Sequence, residues 1–419
     1  MRLFPLGDSL LAPTFWNWRT IMALEKAWIP YRGYWSSPFV RWQGSLGREN
    51  SLELAAKSAR SFFEQRQIPK DELDGLVLGF TVPQMHSFYG GPWVAALMET
   101  PKITGTIVSQ ACATSARALQ SAALEIESGL KDAMLALTCD RTSNGPHIYY
   151  PDPGGVGGRG QTEEWVWDNF NADPNTGKPM LATAENVAKE AGISREEQDE
   201  ITLLRNKQYE DALASDRSFQ KGWMLPIEIR LGRKKTKLIE ADEGVFPTTA
   251  EGLAGLRPVM PEGTVTFGSQ TYPADGNAGL LVCNRDKAKA FSKDGSVEIQ
   301  LLGFGQARVE KAHMPKGVVP AAEAALAMAG IGIKDCAAIK THNPFAVNDA
   351  YFCRKFDLSP EAMNNFGSPL IYGHPQGPTG GRVTVELIEE LVQKGGGFGL
   401  FSGCAAGDTA MALVLKVSC

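Results

Sequence analysis

Residues 52–80, LELAAKSARSFFEQRQIPKDELDGLVLGF, and residues 319–342, VPAAEAALAMAGIGIKDCAAIKTH, spell one supersecondary pattern twice. Each copy opens with an Ala-rich stretch whose apolar residues recur at helical spacing. Each then breaks at a polar turn, Pro69-Lys70-Asp71 or Ile333-Lys334-Asp335, and ends in a short apolar run, Leu76-Val77-Leu78 or Ala337-Ala338-Ile339. Self-similarity at long range marks a duplicated unit, and helices alternating with buried strands predict an α/β fold.

The segments after each copy also correspond. Ile107-Val108-Ser109-Gln110-Ala111-Cys112 leads into a helix with Leu119, Ala122, Ala123, Ile126 and Leu130 on one face. Leu370-Ile371-Tyr372-Gly373-His374 leads into another with Leu387, Ile388, Leu391 and Val392, closed by a glycine run at Gly395. A buried-type strand succeeds each helix, at Ala133–Cys139 and at Phe398–Ser402. Asp71 precedes Cys112 by 41 positions and Asp335 precedes His374 by 39. Two similar β-α-β-α-β halves, each a mixed five-stranded sheet, are expected to stack into a layered αβαβα core. Pseudo-twofold packing would place Cys112 and His374 at equivalent helix N-termini, facing each other.

A long loop domain interrupts the repeat. It begins with GPHIYYPDPGGVGGRG, continues through EEWVWDNF, and becomes helical at Ala184–Ala191 and Arg195–Leu213, with Ser194 as a cap. The expected division is residues 1–141 as the N-terminal half, 142–263 as a loop or lid domain, 264–293 as the return strand and helix, and 294–419 as the C-terminal half. An insertion of this length is more often functional than idle, and is expected to cover the site.

Composition narrows the function. The 419 residues are 43% hydrophobic and 21% charged, with a net charge of -5, which gives no electrostatic reason to bind nucleic acid. No stretch reaches the length of a membrane span, and MRLFPLGDSLLAPTFWNW lacks the layout of a signal peptide. The C-terminal VLKVSC is neither a prenylation box nor a peroxisomal address, so a cytoplasmic protein is expected. The seven cysteines are scattered and contain no C-x-x-C pair, so neither a disulfide framework nor a metal site is expected. The glycine runs match no P-loop and no dinucleotide fingerprint.

Four residues stand where chemistry is expected. Cys112 lies where a strand gives way to a helix of small residues, whose free N–H groups favour a thiolate. His374, in GHPQGPTGGR, is held by a Gly/Pro-rich turn and forms with Cys112 a candidate Cys–His pair. His342 ends the second apolar strand, in THNPFAVND, where α/β sheets present active residues. Cys404 comes after the last buried strand, in FSGCAAGD. His86, His147 and His313 sit in loop-like or charged surroundings and suit rim or surface roles.

At these positions the chain resembles the thiolase family. SQACATSARAL is similar to its nucleophile segment, GHPQGPTG to its GHP segment, and GCAAG to its second-cysteine segment, while HNPFA stands at its Asn-Glu-Ala-Phe segment. TAENVAKEAGISREEQD and GTVTFGSQTYPADGNAGLLV resemble the loop-domain helix and the returning strand, so that the likeness runs from about Leu52 to Leu415. The resemblance implies a Cys112 that carries the acyl group as a thioester, and a His374 that deprotonates it. Cys404 would be the acid–base group at the α-carbon, with a pKa near neutrality. Backbone N–H groups of Cys112 and Ala406 would form one oxyanion hole, and His342 with His374 the other. Thr271 and Phe345 fall where the family contacts the CoA arm. Coenzyme A is then substrate or product, with no permanently bound cofactor.

The departures have consequences. His342 replaces the motif's Asn, as in the His-containing branch of sterol-carrier-type thiolases, and Asn343 replaces its Glu. Tyr272 and Pro273 stand where small residues are usual, and Ala405-Ala406-Gly407-Asp408 replaces a more glycine-rich run. The aromatic stretches PTFWNW, YRGYWSSPFVRWQGS and EEWVWDNF read either as packing at an oligomer interface or as a pocket for a bulky, even aromatic, acyl-CoA. The family implies acyl-CoA substrates and a homodimer or tetramer. Thiolases of this kind also occur with a small zinc-finger partner subunit, a module this chain lacks. Two rivals share the frame: a decarboxylating ketoacyl synthase, which does not need Cys404, and a non-catalytic thiolase-fold binding subunit.

Overall fold

The computed structural model describes residues 23–419, so the PTFWNW segment lies outside the described residues. Both copies of the repeat fold alike. Helix Ser51–Arg66, the 3₁₀ turn Lys70–Glu72 and strand Gly75–Gly79 match helix Val318–Ala329, the 3₁₀ turn Ile333–Asp335 and strand Cys336–His342. Each helix ends on a residue in the left-handed region, Gln67 at φ 54° and Gly330 at φ 70°, which turns the chain back toward its strand.

The strand pairings repeat as well. Gly75–Gly79 runs parallel to Thr106–Val108 and to Ala133–Arg141, which pairs antiparallel with Ala274–Cys283. In the second half Cys336–His342 runs parallel to Gly396–Ala405, which pairs antiparallel with Thr409–Ser418, and this in turn with Glu298–Arg308. The short strand Trp28–Pro30 pairs with both Ala274–Cys283 and Glu298–Arg308 and so joins the halves into one network of eleven strands. One expected equivalence fails: the stretch that should mirror the Thr106–Val108 strand is a helical turn, Pro369–Tyr372. Pro369 opens that turn and all four of its residues are buried, so the segment packs as a plug and not as an edge strand.

Helices Thr114–Glu127 and Gln376–Gln393 form the middle layer. Leu119, Ala123, Leu387 and Ile388 share one core with Val77, Ala136 and Leu280 from the first half and Phe401, Leu413 and Leu415 from the second. Helix Ser51–Arg66 covers the outer face of the first half, while Val318–Ala329 and Ala346–Phe356 cover the second. The middle helices approach closely because their facing residues are small. A Cβ on Gly380 would sit 3.3 Å from Ser115 Cβ, and one on Gly381 would sit 3.1 Å from Ala278 Cβ. Leu130 lies past the helix end at Glu127 and is 75% exposed, so it does not belong to the buried face expected of it. Among the described residues no helix is long and apolar enough to cross a membrane.

The long insertion leaves the first half between Arg141 and Ala274, at the place where the second half uses the tight turn Ala406–Asp408. Its two long helices are Met180–Ala191 and Arg195–Lys221, the latter capped by Ser194 and broken in backbone at Ala214–Arg217. A buried ion pair fastens it to the middle layer: Arg382 donates to both oxygens of Asp242 at 2.6 and 2.8 Å. Arg382 also donates to Glu386 at 3.0 Å and stacks 3.6 Å from the centroid of Tyr372, while Tyr209 donates to Asp242 at 2.9 Å. Removing Asp242 leaves Arg382 with Glu386 as its remaining charged partner and strands two buried guanidinium donors and the Tyr209 hydroxyl without acceptors. Asp242→Ala is therefore expected to lose about 3–5 kcal/mol, read from the midpoint of urea unfolding.

Candidate active site

Cys112 and His374 each stand two residues ahead of the first residue of a middle-layer helix, Thr114 and Gln376. Ala111, at φ 45°, makes the bend from strand Thr106–Val108 into the first helix, and Thr114 Oγ1 locks it by donating to Ala111 O at 2.7 Å. Gly373, at φ 89°, makes the corresponding bend, and a Cβ there would lie 2.7 Å from the Tyr272 ring. The His374 backbone is held by the returning segment: its N–H donates to Tyr272 O at 2.9 Å.

The two side chains meet. Cys112 Sγ lies 3.1 Å from His374 Nε2, and His374 Nδ1 lies 2.7 Å from Thr379 Oγ1. Thr379 gives its only hydroxyl proton to Pro375 O at 2.7 Å, so it accepts from Nδ1–H. That leaves Nε2 as the free base facing the thiol. Burial drops His374 to about 3 and pushes the Cys112 thiol up to about 11, although the N–H groups of Ala406 and of Cys112 itself offset part of the rise. Burial thus outweighs the helix terminus that was expected to favour a thiolate, and the resting pair is neutral. Cys112 keeps some surface toward a cavity while its thiol is enclosed.

His342 and Cys404 complete the cluster. The His342 ring lies 4.1 Å from that of His374, is fully buried, and has no hydrogen-bond partner on either nitrogen among the described residues. Burial and the neighbouring His374 hold it well below the usual imidazole range. His342 is paired across the sheet with Gly403, which sets it beside Cys404. Cys404 is fully buried and accepts from Asn348 Nδ2 at 3.2 Å. Burial and the nearby Cys112 put its thiol well above the ordinary value, where the resemblance implied near-neutrality. The turn after it is pinned by Asp408, whose carboxylate accepts from the N–H groups of Ala312 at 2.8 Å and His313 at 3.0 Å, and this turn aims Ala406 N–H at Cys112.

Cys112, His374 and Ala406 open onto a cavity of about 420 Å³ whose walls, among the described residues, carry no Lys, Arg, Asp or Glu. Thr271 and Phe345 both line it, with Thr271 Oγ1 committed to Pro369 O. Tyr272, Met180, Phe267, Trp167 and Phe170 are among its apolar lining. The aromatic stretches therefore divide: Tyr34, Trp35 and Phe39 are buried in the core, whereas Trp167 reaches the cavity and packs edge-on against Trp42 and Phe170.

The sulfur of Cys112 and one nitrogen each of His342 and His374 lie within 4.8 Å of one another. The direct contact of 3.1 Å between Cys112 and His374 is closer than the roughly 3.5 Å that tetrahedral zinc imposes on a sulfur and a nitrogen ligand, so the arrangement suits a proton pair better than an ion. His86 and His147 are exposed, and His313 bonds to Lys311 O beside Glu190. Thr379 and Asn348 escaped the sequence reading; the i+5 spacing of a hydroxyl after His374 is the one local signal that pointed to the former.

Residues 35–286 match the family model described as thiolase, N-terminal domain, and residues 296–417 match that described as thiolase, C-terminal domain. The mitochondrial 3-ketoacyl-CoA thiolase of Rattus norvegicus is 28% identical over 91% of this chain and 96% of its own length. The acetyl-CoA acetyltransferase of Escherichia coli is 28% identical over 89% and 95%. Among solved structures, the acetyl-CoA acetyltransferase of Bacillus anthracis superposes with a TM-score of 0.86 at 27% identity, covering 94% of this chain and 99% of that one. The human mitochondrial 3-ketoacyl-CoA thiolase in complex with CoA superposes with the same score at 26% identity, covering 95% and 100%.

With the thiol raised to about 11, alkylation of Cys112 by iodoacetamide should climb steadily from pH 7 to about pH 10, close to tenfold per unit. Peptide mass spectrometry of timed samples reads this rate, and a plateau near pH 7 would instead indicate a thiolate–imidazolium pair.

Proposed function

The chain belongs to the thiolase family, and on that premise we propose that it cleaves a 3-ketoacyl-CoA with CoA, or runs the reverse Claisen condensation, through a thioester on Cys112. The observation that carries the reading is the 3.1 Å approach of the Cys112 sulfur to a proton-free His374 nitrogen at an apolar cavity.

In the cleavage direction His374 Nε2 takes the thiol proton as Cys112 attacks the 3-keto carbon, whose oxyanion is held by the N–H groups of Cys112 and Ala406. The C2–C3 bond breaks and its electron pair moves into an enolate. His342, and His374 now carrying the proton, donate to the enolate oxygen; the unpartnered nitrogens of His342 support that role. Acetyl-CoA leaves, with the shortened acyl group kept as the thioester on Cys112, once C2 has been protonated by the Cys404 thiol. Its thiolate then takes the proton of an incoming CoA thiol, which attacks the Cys112 thioester, and the departing Cys112 sulfur recovers its proton from His374. Condensation is the same sequence reversed. His342, standing where other members carry Asn, supports placing the chain with the His-containing branch.

The cavity supports a bulky apolar or aromatic acyl group, with the CoA arm passing Thr271 and Phe345 and the insertion of residues 142–263 acting as the lid. Assembly as a homodimer or tetramer is supported by the outer edge of strand Thr106–Val108, which pairs with no strand there among the described residues. There Ile107 is 39% exposed and the nearby Phe88 and Tyr89 leave apolar surface uncovered. A zinc-finger partner subunit rests on the resemblance alone.

Acetyl-CoA or a 3-ketoacyl-CoA is expected to leave an acyl adduct on Cys112, seen by intact-protein and peptide mass spectrometry, in the native chain and in Cys404→Ser. Carbon–carbon turnover should be lost in both Cys112→Ser and Cys404→Ser; turnover that survives Cys112→Ser would exclude the mechanism. Trp167→Ala and Phe170→Ala should lower kcat/KM for bulky acyl chains about tenfold while sparing short ones, as read from a chain-length series.

A further inference from the structure

The cap of helix Ala346–Phe356 reaches into the reaction site. Asn348 stands in its first turn, is fully buried, and accepts from the free Phe345 N–H through Oδ1 at 3.2 Å. That bond fixes which way the amide faces. Its other end, the Nδ2 amino group, lies 3.2 Å from the Cys404 sulfur. A flipped amide would set an oxygen against the sulfur and an amino group against an N–H, losing both bonds. Capping explains the oxygen but leaves the amino group aimed at Cys404 without a structural reason.

We propose that Asn348 is a positioning residue for the second thiol: it holds the Cys404 sulfur in line with the α-carbon and favours the thiolate each time Cys404 takes up a proton. The inference rests on the thiolase reading of Cys404. In condensation the α C–H bond of the second acyl-CoA breaks, an S–H bond forms, and the electron pair passes to the enolate oxygen. Apart from the amide of Asn348, the help the sulfur has in becoming negative comes from its own backbone N–H. Burial, the Cys112 sulfur and the Asp349 carboxylate all act against it, while the Asn348 amide and the backbone N–H of Cys404 act for it. Asp349 is engaged elsewhere, accepting from Arg205, Thr341 and Asn343. The other titratable groups around the cluster are His342, across from Gly403, and His374, in contact with Cys112. Both are held below the usual imidazole range and remain neutral at physiological pH.

Asn348→Asp separates the two roles, because it keeps an oxygen for Phe345 N–H and removes the donor to Cys404. Asn348→Ala removes both. The probe is acetyl-CoA in D2O, with exchange of its methyl hydrogens followed by NMR, beside acetylation of Cys112 followed by mass spectrometry. Both variants are expected to slow exchange about tenfold or more near pH 7 and to move its pH profile upward by about one unit, with Cys112 acetylation within about threefold of the native chain. Unchanged exchange and an unchanged profile in Asn348→Asp would reduce Asn348 to a cap and overturn the proposal. If either variant also loses Cys112 acetylation, Asn348→Ser decides. Its hydroxyl can still donate, so exchange recovered above the Ala level supports the proposal, and none overturns it. A native chain that neither acetylates Cys112 nor exchanges hydrogens would instead sink the thiolase reading itself.

Discussion

The close approach of the two middle helices is the constraint on which the site depends. Ser115 meets Gly380 and Gly381 where any larger residue would hold the helices apart, and Ser115 Oγ donates to Gly377 O across the junction. Because Cys112 and His374 stand at the same offset from their helices, this contact fixes their separation. A hydrogen bond of 3.1 Å weakens steeply when stretched, so widening the helix pair by even one methyl group would separate the base from the thiol. Packing density in the core thereby sets the geometry of the Cys112–His374 pair.

Burial sets the electrostatic character of that geometry. The thiol, both imidazoles and the second thiol are all driven toward their neutral forms by the surrounding apolar core. Such a site stores no charge at rest. Fixed N–H groups at Ala406 and Cys112, and the open nitrogens of His342, face places where charge would develop during reaction. Donors fixed in advance within a dry cavity stabilise a transient oxyanion more than a resting neutral carbonyl, and a difference of that kind is what accelerates a reaction. The neutral cavity wall agrees with this, since a charged side chain there would compete with those donors.

Much of this was legible in the sequence because it is carried by local periodicity. The repeated helix–turn–strand words at 52–80 and 319–342 each fold as written, down to the 3₁₀ turns at Lys70–Glu72 and Ile333–Asp335. The equal placing of Cys112 and His374 comes from the same repeat. The features that the residues hid were decided by tertiary contacts. Leu370-Ile371-Tyr372 is as apolar as a strand, yet Pro369 and Gly373 bracket it and burial on all sides makes it a helical turn. Leu130 continues the helical spacing past a helix that has already ended. The Arg382–Asp242 pair joins residues 140 positions apart, and no short-range pattern announces it. Helix-dipole reasoning also missed the sign of the effect on Cys112, because a sequence shows the helix terminus but not the depth of burial around it.

The two halves share a frame but have also diverged at the ends of the matching strands Ala133–Arg141 and Gly396–Ala405. Asp140 and Cys404 are both the penultimate residues of matching strands, Ala133–Arg141 and Gly396–Ala405. Asp140 accepts from the N–H groups of Thr81, Val82 and Gly377, and so clamps the helix that begins just after His374, while burial raises its carboxyl to about 6. Cys404 at the twin position faces Asn348 and Cys112 instead. Beyond Asp140 the chain leaves for the long insertion that walls the cavity, whereas beyond Cys404 it turns at once, presenting Ala406 to Cys112. One half thus supplies clamp and cover and the other supplies the second thiol and a donor. A duplicated fold can divide labour in this way because the middle helices hold both strand ends against the same few ångströms of space.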